Sequence, residues 1–403
     1  MNILFLSLGK FEDPNVQGIY TDLLREFKND GHKVYIVSPR ERKFGLPTEL
    51  VRYENMSILK VKIGNIEKIN IFEKGFSTLR IQKQYISAIK YYFDTVKFDL
   101  ILYTTPPITI GKVVEFIKHR DGAKTFLLLK DIFPQNAIDL KLIKRNGIIH
   151  KYFSKVEHQL YQISDYIGTM SPANTEYLLT HNSSIDNRKV CEVPNTLTPT
   201  NFDMDNDQKE NIRWKYNIPI NKIMAIYGGN LGKPQGIDNL LRCLMKNEDN
   251  DRTFIVIVGS GTEFTKIHNF IQVNGLKNCL LLDSLPKVEY DLLVNSADIG
   301  LIFLDVSFTI PNFPSRLLSY LQASIPIVAS TDISTDIGMI AEKNEFGLWN
   351  LATDVNHFND NLLKLENDSL RLEMGKNGRE YFENNYTSQH AYEIIMKQLD
   401  IGE

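Results

Sequence analysis

The sequence predicts an α/β chain built from two parallel-sheet units in series. Three observations carry this. Short apolar runs alternate with longer stretches of helical period along the 403 residues. That alternation lapses over residues 194–211, where Pro194-Asn-Thr-Leu-Thr-Pro-Thr and Asp203-Met-Asp-Asn-Asp have no apolar period, and then resumes. The two stretches also differ in charge. Residues 1–200 hold 28 basic and 21 acidic side chains and residues 201–403 hold 18 and 28, so the net charge of −3 conceals a balance of +7 against −10.

In the first stretch, Ile3-Leu-Phe-Leu reads as a buried strand, followed by a polar loop with Gly9 and Gly18 and an amphipathic helix through Leu23, Leu24 and Phe27. Gly31-His32 stops that helix and Val34-Tyr-Ile-Val resumes a strand, giving a βαβ unit and hence a parallel sheet. Further strands are expected at Leu100-Ile-Leu-Tyr, Thr125-Phe-Leu-Leu-Leu and Ile167-Gly-Thr-Met. The second stretch repeats the plan at Ile223-Met-Ala-Ile-Tyr, Phe254-Ile-Val-Ile-Val, Leu280-Leu-Leu, Ile299-Gly-Leu-Ile-Phe and Ile327-Val-Ala.

Composition removes several function classes. Hydrophobic content of 43% and charged content of 24% fit a folded chain rather than a disordered or collagenous one. Cys191, Cys243 and Cys279 are odd in number and widely spaced, which speaks against a disulfide framework or zinc knuckle and for a reducing compartment. The start lacks the basic residue and small-residue cleavage site of a signal peptide, and no stretch approaches the roughly 20 apolar residues of a spanning helix. Eight histidines never form HxH or HExxH, so no metal is expected. Asp203-Met-Asp205 has a DxD spacing but sits in the acidic linker, where a solvated role is expected, and neither Ser171-Pro-Ala nor Ser284 lies in a G-x-S-x-G elbow.

Ligands of parallel sheets bind where loops and helix N-termini follow strands. Four loops qualify. Tyr227-Gly-Gly-Asn-Leu-Gly-Lys-Pro-Gln-Gly236 permits close backbone approach at Gly229, Asn230 and Gly232, and Lys233 can meet an anion; a tight turn would need the same glycines. Pro311-Asn-Phe-Pro-Ser-Arg-Leu-Leu places Pro314 in the first turn of a helix whose start offers Ser315, Arg316 and the Leu317 N–H to a diphosphate; an ordinary helix cap is the plainer reading. Val258-Gly-Ser-Gly-Thr, with Gly259, imitates a dinucleotide fingerprint without its third glycine. Leu129-Lys-Asp-Ile-Phe-Pro-Gln places Asp131 where it can accept a proton or cap the next helix.

Taken in order, these segments resemble the family-4 retaining glycosyltransferases of GT-B fold, especially bacterial members that build capsule, O-antigen and exopolysaccharide repeat units. The matching signatures are Gly31-His-Lys-Val-Tyr-Ile-Val, Val193-Pro-Asn, Tyr227-Gly-Gly-Asn-Leu-Gly with Gln235-Gly236, Val258-Gly-Ser-Gly, Ala297-Asp-Ile-Gly-Leu, Pro314-Ser-Arg, Tyr320-Leu-Gln-Ala-Ser-Ile-Pro-Ile-Val-Ala and Gly375-Lys-Asn-Gly-Arg. The resemblance implies two Rossmann-like domains, their parallel sheets facing across a cleft. Residues 1–198 would bind the acceptor, 199–385 would bind the nucleotide-sugar, and a helix in 386–403 would cross back to the first domain. It implies that the 228–236 loop and Ser315–Leu318 hold the donor diphosphate, and that Gly259, Asp283, Ser284 and Leu285 border the base and ribose. Asp131, Lys233 and Arg316 become the catalytic candidates, with no metal or cofactor and retention by attack on the leaving-group face. The donor would be a UDP-sugar and the acceptor a polyprenyl-diphosphate-linked saccharide.

The family's paired glutamates fall here on Pro311 and Ser319, and the usual Arg and Lys of the glycine loop on Asn230 and a displaced Lys233. A nucleotide-sugar 2-epimerase of the same fold and a catalytically silent partner subunit stay open as alternatives.

The basic half suggests an anionic surface. Lys60, Lys62, Lys68 and Lys74 precede a helix expected over about 79–97, on which Arg80, Lys83, Lys90 and Lys97 share one face and Ile81, Tyr85, Ala88, Ile89 and Tyr92 another. A second cluster of Lys141, Lys144, Arg145, Lys151 and Lys155 contains no acid. A solvated face is the simpler reading of one such helix, and two clusters favour an acceptor or membrane surface, with the protein at the inner face of the cell membrane. Nucleic acid would meet the charge equally well but lacks a stacking motif here.

Overall fold

The computed structural model describes residues 1–66, 71–202 and 204–401, with side chains described for all of these except 71–79 and 401. Lys68, Asp203 and the Lys74 side chain lie outside the described residues. The chain divides into two compact units, residues 1–198 with 388–403 and residues 199–387.

Unit 1 begins β1 (Asn2–Leu6), α1 (Ile19–Asn29) and β2 (Lys33–Glu41). Gly31, at φ 81°, turns the chain between α1 and β2, as the Gly31-His32 stop signal requires. Next come β3 (Glu49–Tyr53), β4 (Met56–Ile63), α2 (Ile71–Tyr92), β5 (Leu100–Thr104), α3 (Gly111–Asp121) and β6 (Lys124–Leu128). Then α4 (Gln135–Asp139), α5 (Ile148–Ile163), β7 (Tyr166–Thr169), α6 (Pro172–His181) and β8 (Val190–Glu192) complete the first pass. The sheet order is β3-β4-β2-β1-β5-β6-β7-β8. Every pairing is parallel except β3 with β4, an antiparallel edge pair that the apolar-run pattern does not anticipate. Ile3, Phe5, Leu23, Phe27, Leu102 and Phe126 lie in one of its buried clusters.

The helix expected to reach Lys97 ends instead at Tyr92. The Asp94 side chain accepts the Thr95 N–H at 2.9 Å, a local turn that competes with another helical step. Lys97 is therefore off the helix, while Ile81, Tyr85, Ala88 and Ile89 are buried as the apolar face requires.

Unit 2 opens with α7 (Asn206–Lys215), β9 (Ile223–Asn230), α8 (Ile237–Asn247), β10 (Thr253–Ser260) and α9 (Phe264–Asn274). It continues with β11 (Cys279–Leu282), α10 (Lys287–Asn295), β12 (Ile299–Phe303), α11 (Arg316–Gln322), β13 (Ile327–Thr331) and α12 (Ile337–Lys343). Last are β14 (Gly347–Leu351), α13 (Val355–Lys364) and α14 (Asp368–Asn385). The order is β11-β10-β9-β12-β13-β14, all parallel. Helix α7 begins inside the stretch that carries no apolar period. Asp205 starts it with a capping box, accepting the Gln208 N–H at 2.8 Å while the Gln208 side chain accepts the Asp205 N–H at 3.1 Å. Asp205 is thus a helix cap.

The last helix, α15 (Ser388–Ile401), packs in unit 1 against α1. Ala391, Tyr392 and Ile395 are buried there, with the Tyr392 ring 4.8 Å from that of Phe27, and the Tyr392 hydroxyl donates to Asp30.

Candidate functional site

Among the parallel strands of each sheet the order reverses direction once, between β1 and β5 in unit 1 and between β9 and β12 in unit 2. Side chains that follow these strands at the carboxyl edge therefore surround the crevice where parallel sheets bind ligands.

In unit 2, β9 feeds the 228–236 loop and the segment after β12 leads to Arg316. The Arg316 guanidinium lies 4.2 Å from the centroid of the Tyr227 ring, and its Nη2 donates to Gln235 Oε1 at 2.6 Å. Its Nη1 is buried with no hydrogen-bond partner. Tyr320, one turn along α11, accepts the Gly228 N–H at 3.2 Å, and its hydroxyl lies 3.1 Å from the Ile226 carbonyl and 3.2 Å from that of Leu301. It ties the base of the glycine loop to β12. Tyr290 closes the cluster; burial pushes its phenol up to about 12 despite Arg316, so it stays neutral. A Cβ at Gly228 would lie 2.0 Å from the Tyr290 hydroxyl, so the close packing here requires glycine.

Parallel pairing sets Gly259 opposite Gly229 and Ser260 opposite Asn230. Gly259 has φ 157°, and a Cβ on it would lie 1.8 Å from the Gly229 carbonyl oxygen. The glycines of Val258-Gly-Ser-Gly therefore seat one loop on another. Gly229, Asn230 and Lys233 are exposed and Gly232 is buried. Asp283 and Ser284 are exposed and Leu285 half-buried in the segment after β11, next to the end of β10.

Helix α11 begins at Arg316, with Ser315 at its N-cap and Pro314 outside it, two residues later than the proline suggests. The Leu317 N–H donates to the Pro314 carbonyl at 3.2 Å, a tight opening turn that occupies one of the expected free donors. Ser315 is exposed and its side chain makes no cap.

In unit 1, Asp131 follows β6. The Thr105 hydroxyl lies 3.3 Å from the Asp131 carbonyl, and the Lys130 N–H donates to the Thr105 oxygen at 3.2 Å. Pro134, rather than Asp131, occupies the N-cap of α4, with no side-chain cap, so the capping reading of Asp131 does not hold. Burial pushes the Asp131 carboxyl up to about 6 and the Lys130 ammonium down to about 7. Lys130 Nζ donates to the Val193 carbonyl at 3.1 Å. Tyr20 stands beside Thr104 and Asp131, its phenol pushed up to about 12 chiefly by burial.

The basic residues separate. Arg80 and Lys83 line, with Lys62 of β4, a groove of about 430 Å³ that also includes Ser87 and Tyr92. Lys90 instead lies 4.8 Å over the Phe116 ring. Lys141, Lys144 and Arg145 are exposed in the loop before α5.

Gln235 lies inside the 228–236 loop that the sequence singles out, but sequence reasoning passes over Tyr227, Tyr290, Tyr320 and Lys130 as site residues. The i, i+4 spacing of Arg316 and Tyr320 was a readable signal of a shared helix face; the approach of Tyr290 from α10 had none.

This geometry places the molecule among α/β proteins with two Rossmann-like units, the fold of GT-B glycosyltransferases. Residues 208–381, which lie within unit 2, match the family model of glycosyl transferases group 1. Two curated relatives are similar in sequence. WbjE of Pseudomonas aeruginosa, described as a glycosyltransferase, is 21% identical over 294 residues, 72% of this chain and 70% of its own length. WcaI of Escherichia coli (strain K12), described as a glycosyl transferase of colanic acid biosynthesis, is 23% identical over 255 residues, 61% of this chain and 60% of its own. Among solved structures, sucrose-phosphate synthase of Thermosynechococcus elongatus superimposes over 100% of both chains at 16% identity, with a TM-score of 0.75. HepE of Anabaena, in complex with UDP, covers 99% of this chain and 100% of its own at 13% identity, with a TM-score of 0.68.

Proposed function

We propose that this protein is a glycosyltransferase that moves a sugar, with retention, from a UDP-sugar to a lipid-diphosphate-linked saccharide in bacterial surface polysaccharide synthesis. The observation that carries the reading is Arg316. It is a cation held by Gln235 and the Tyr227 ring beside a glycine loop, with one guanidinium nitrogen buried and unpartnered. An anion is the ligand such a group lacks, and a leaving diphosphate supplies it. The group 1 family match to this unit, the UDP in the Anabaena protein and the colanic acid role in the name of the E. coli relative support the reading in turn.

In this reading the N–H groups of the 228–236 loop, Ser315 and Lys233 surround the diphosphate, and Arg316 takes up the charge that grows on it as the C1–O bond breaks. The acceptor hydroxyl attacks C1 from the leaving-group face, and its proton passes to the departing phosphate oxygen. Side-chain cations provide the charge stabilisation, so no metal is invoked. The segment at Asp283–Leu285 borders the base, and Asp131 orients the acceptor hydroxyl on unit 1. No helix among the described residues is long and apolar enough to cross a membrane, and an acceptor on a lipid calls for peripheral contact with an anionic leaflet.

The test is release of nucleoside diphosphate on adding a lipid-linked acceptor, with UDP-, GDP- and dTDP-sugars compared and EDTA present in one arm. Arg316→Ala is expected to lower turnover about 10²–10³-fold. Wild-type kinetics in that variant, or no acceptor-dependent release by the native protein, rejects the reading.

A further inference from the structure

The connection from β6 to α5 carries an apolar protrusion inside the second basic cluster. Leu142, Ile148, Ile149 and Tyr152 are 65%, 88%, 59% and 48% exposed. Lys141, Lys144, Arg145, Lys151 and Lys155 are all exposed around them, and residues 140–156 contain no Asp or Glu. Among the described residues, none of these five cations forms an ion pair with a carboxylate. On α5, Ile148, Lys151, Tyr152 and Lys155 follow the i, i+3, i+4, i+7 spacing of one face, while Leu160 and Tyr161 near the other end of the helix are buried, the helix packing against α3.

We propose that this tip is a docking surface for an anionic lipid bilayer. The chemistry matches in both parts: lysine and arginine heads meet lipid phosphates while their stems lie along the surface, and the apolar tips reach the acyl boundary. A second copy of this chain would set the same five cations against five others, and repulsion opposes that contact. The position in the fold gives the surface a purpose, and that purpose rests on the acceptor reading above. Helix α5 starts at the carboxyl edge of the unit 1 sheet, after the same connection that carries Lys130 and Asp131. Docking through its first turns therefore turns the edge bearing Asp131 toward the leaflet that presents a lipid-linked acceptor. The groove of Lys62, Arg80 and Lys83 is not required for the contact.

Flotation with vesicles tests the surface without donor or acceptor, so its outcome is independent of transferase activity. The full chain is expected to float with vesicles of equal parts phosphatidylglycerol and phosphatidylcholine, and to stay behind with phosphatidylcholine alone or in about 1 M salt. The double variant Ile148→Asp/Ile149→Asp and the double variant Lys144→Glu/Arg145→Glu should each lower the bound fraction at least about tenfold. Val273→Asp, at an 85% exposed position of unit 2, should leave it unchanged. Thermal melts establish that each variant is folded, and Ile148→Ser serves as a milder replacement should the first double variant fail to fold. The proposal is overturned by a wild-type protein that ignores anionic vesicles or binds both kinds equally. Full binding by the folded Ile148 variants overturns it, and so does a concentration-dependent dimer that those variants abolish, which would assign the patch to a second copy. A protein that transfers sugar yet never floats keeps the functional reading and loses this surface.

Discussion

The guanidinium of Arg316 lies 4.2 Å over the ring of Tyr227, joining the first residue of α11 to β9, the first strand of unit 2. The aromatic face favours a cation without cancelling its charge, and Gln235 accepts from only one of its nitrogens. The charge is thereby held in place with its Nη1 buried and unpartnered.

Gln235→Glu would place a carboxylate 2.6 Å from that cation and satisfy it internally. The expected result is at least about a tenfold loss of UDP affinity, since the anion then competes with a fixed charge pair. Titration calorimetry against wild type checks this, and equal affinities would mean that Arg316 does not meet the nucleotide.

Gly259→Ala should destabilise the protein by about 2 kcal/mol, within the range of overpacking substitutions, because its Cβ is directed at the Gly229 carbonyl. Melting temperature reads the effect. The 228–236 loop must shift to admit the methyl, so nucleotide binding should weaken in the same variant.

Asp131 makes stability depend on acid. Its carboxyl is raised to about 6 in the fold from 3.8, so between these values the folded state binds a proton that the unfolded chain releases. Stability supplied by that proton is present below pH ~4 and is lost as the pH rises through ~6, by an amount on the order of 3 kcal/mol. Asp131→Asn removes the effect. Urea melts of both proteins from pH 4 to 7 should therefore show wild type losing ground to the variant as pH rises.

Asp205→Ala removes the side-chain acceptor of the capping box on α7. A loss of about 1 kcal/mol is expected in chemical denaturation. No change in transfer rate should accompany it, because Asp205 serves only the helix start.

Deleting residues 388–403 should unfold unit 1. That segment buries Ala391, Tyr392 and Ile395 against α1, and its Ser388 hydroxyl donates to Glu26 at 2.6 Å. Loss of cooperative melting, or insolubility on expression, is the expected result; a truncated protein with an intact melt would show that α1 is stable without its cover.

What could be read from the chain follows from how local each signal is. Apolar runs such as Ile3-Leu-Phe-Leu and Phe254-Ile-Val-Ile-Val lie in central strands buried on both faces, so composition by itself exposes them. The edge strands β3 and β8 are only partly buried and carry polar residues, and they left no such run. The Asp205-x-x-Gln208 capping box was legible in the sequence, though a period-based reading does not weigh it.

The sequence by itself determined the two α/β units, the lapse between them, the glycine loop after β9 and a helix start bearing Arg316 after β12. Only the tertiary structure decided what surrounds that cation. Tyr227, Gln235, Tyr290 and Tyr320 arrive from β9, the 228–236 loop, α10 and α11, brought together by strand order and helix packing rather than by spacing along the chain. The basic residues divide by the same rule. Their charge was countable from the start, but burial and the direction of each helix face settled which line a groove, which stack on a ring and which stand beside exposed isoleucines.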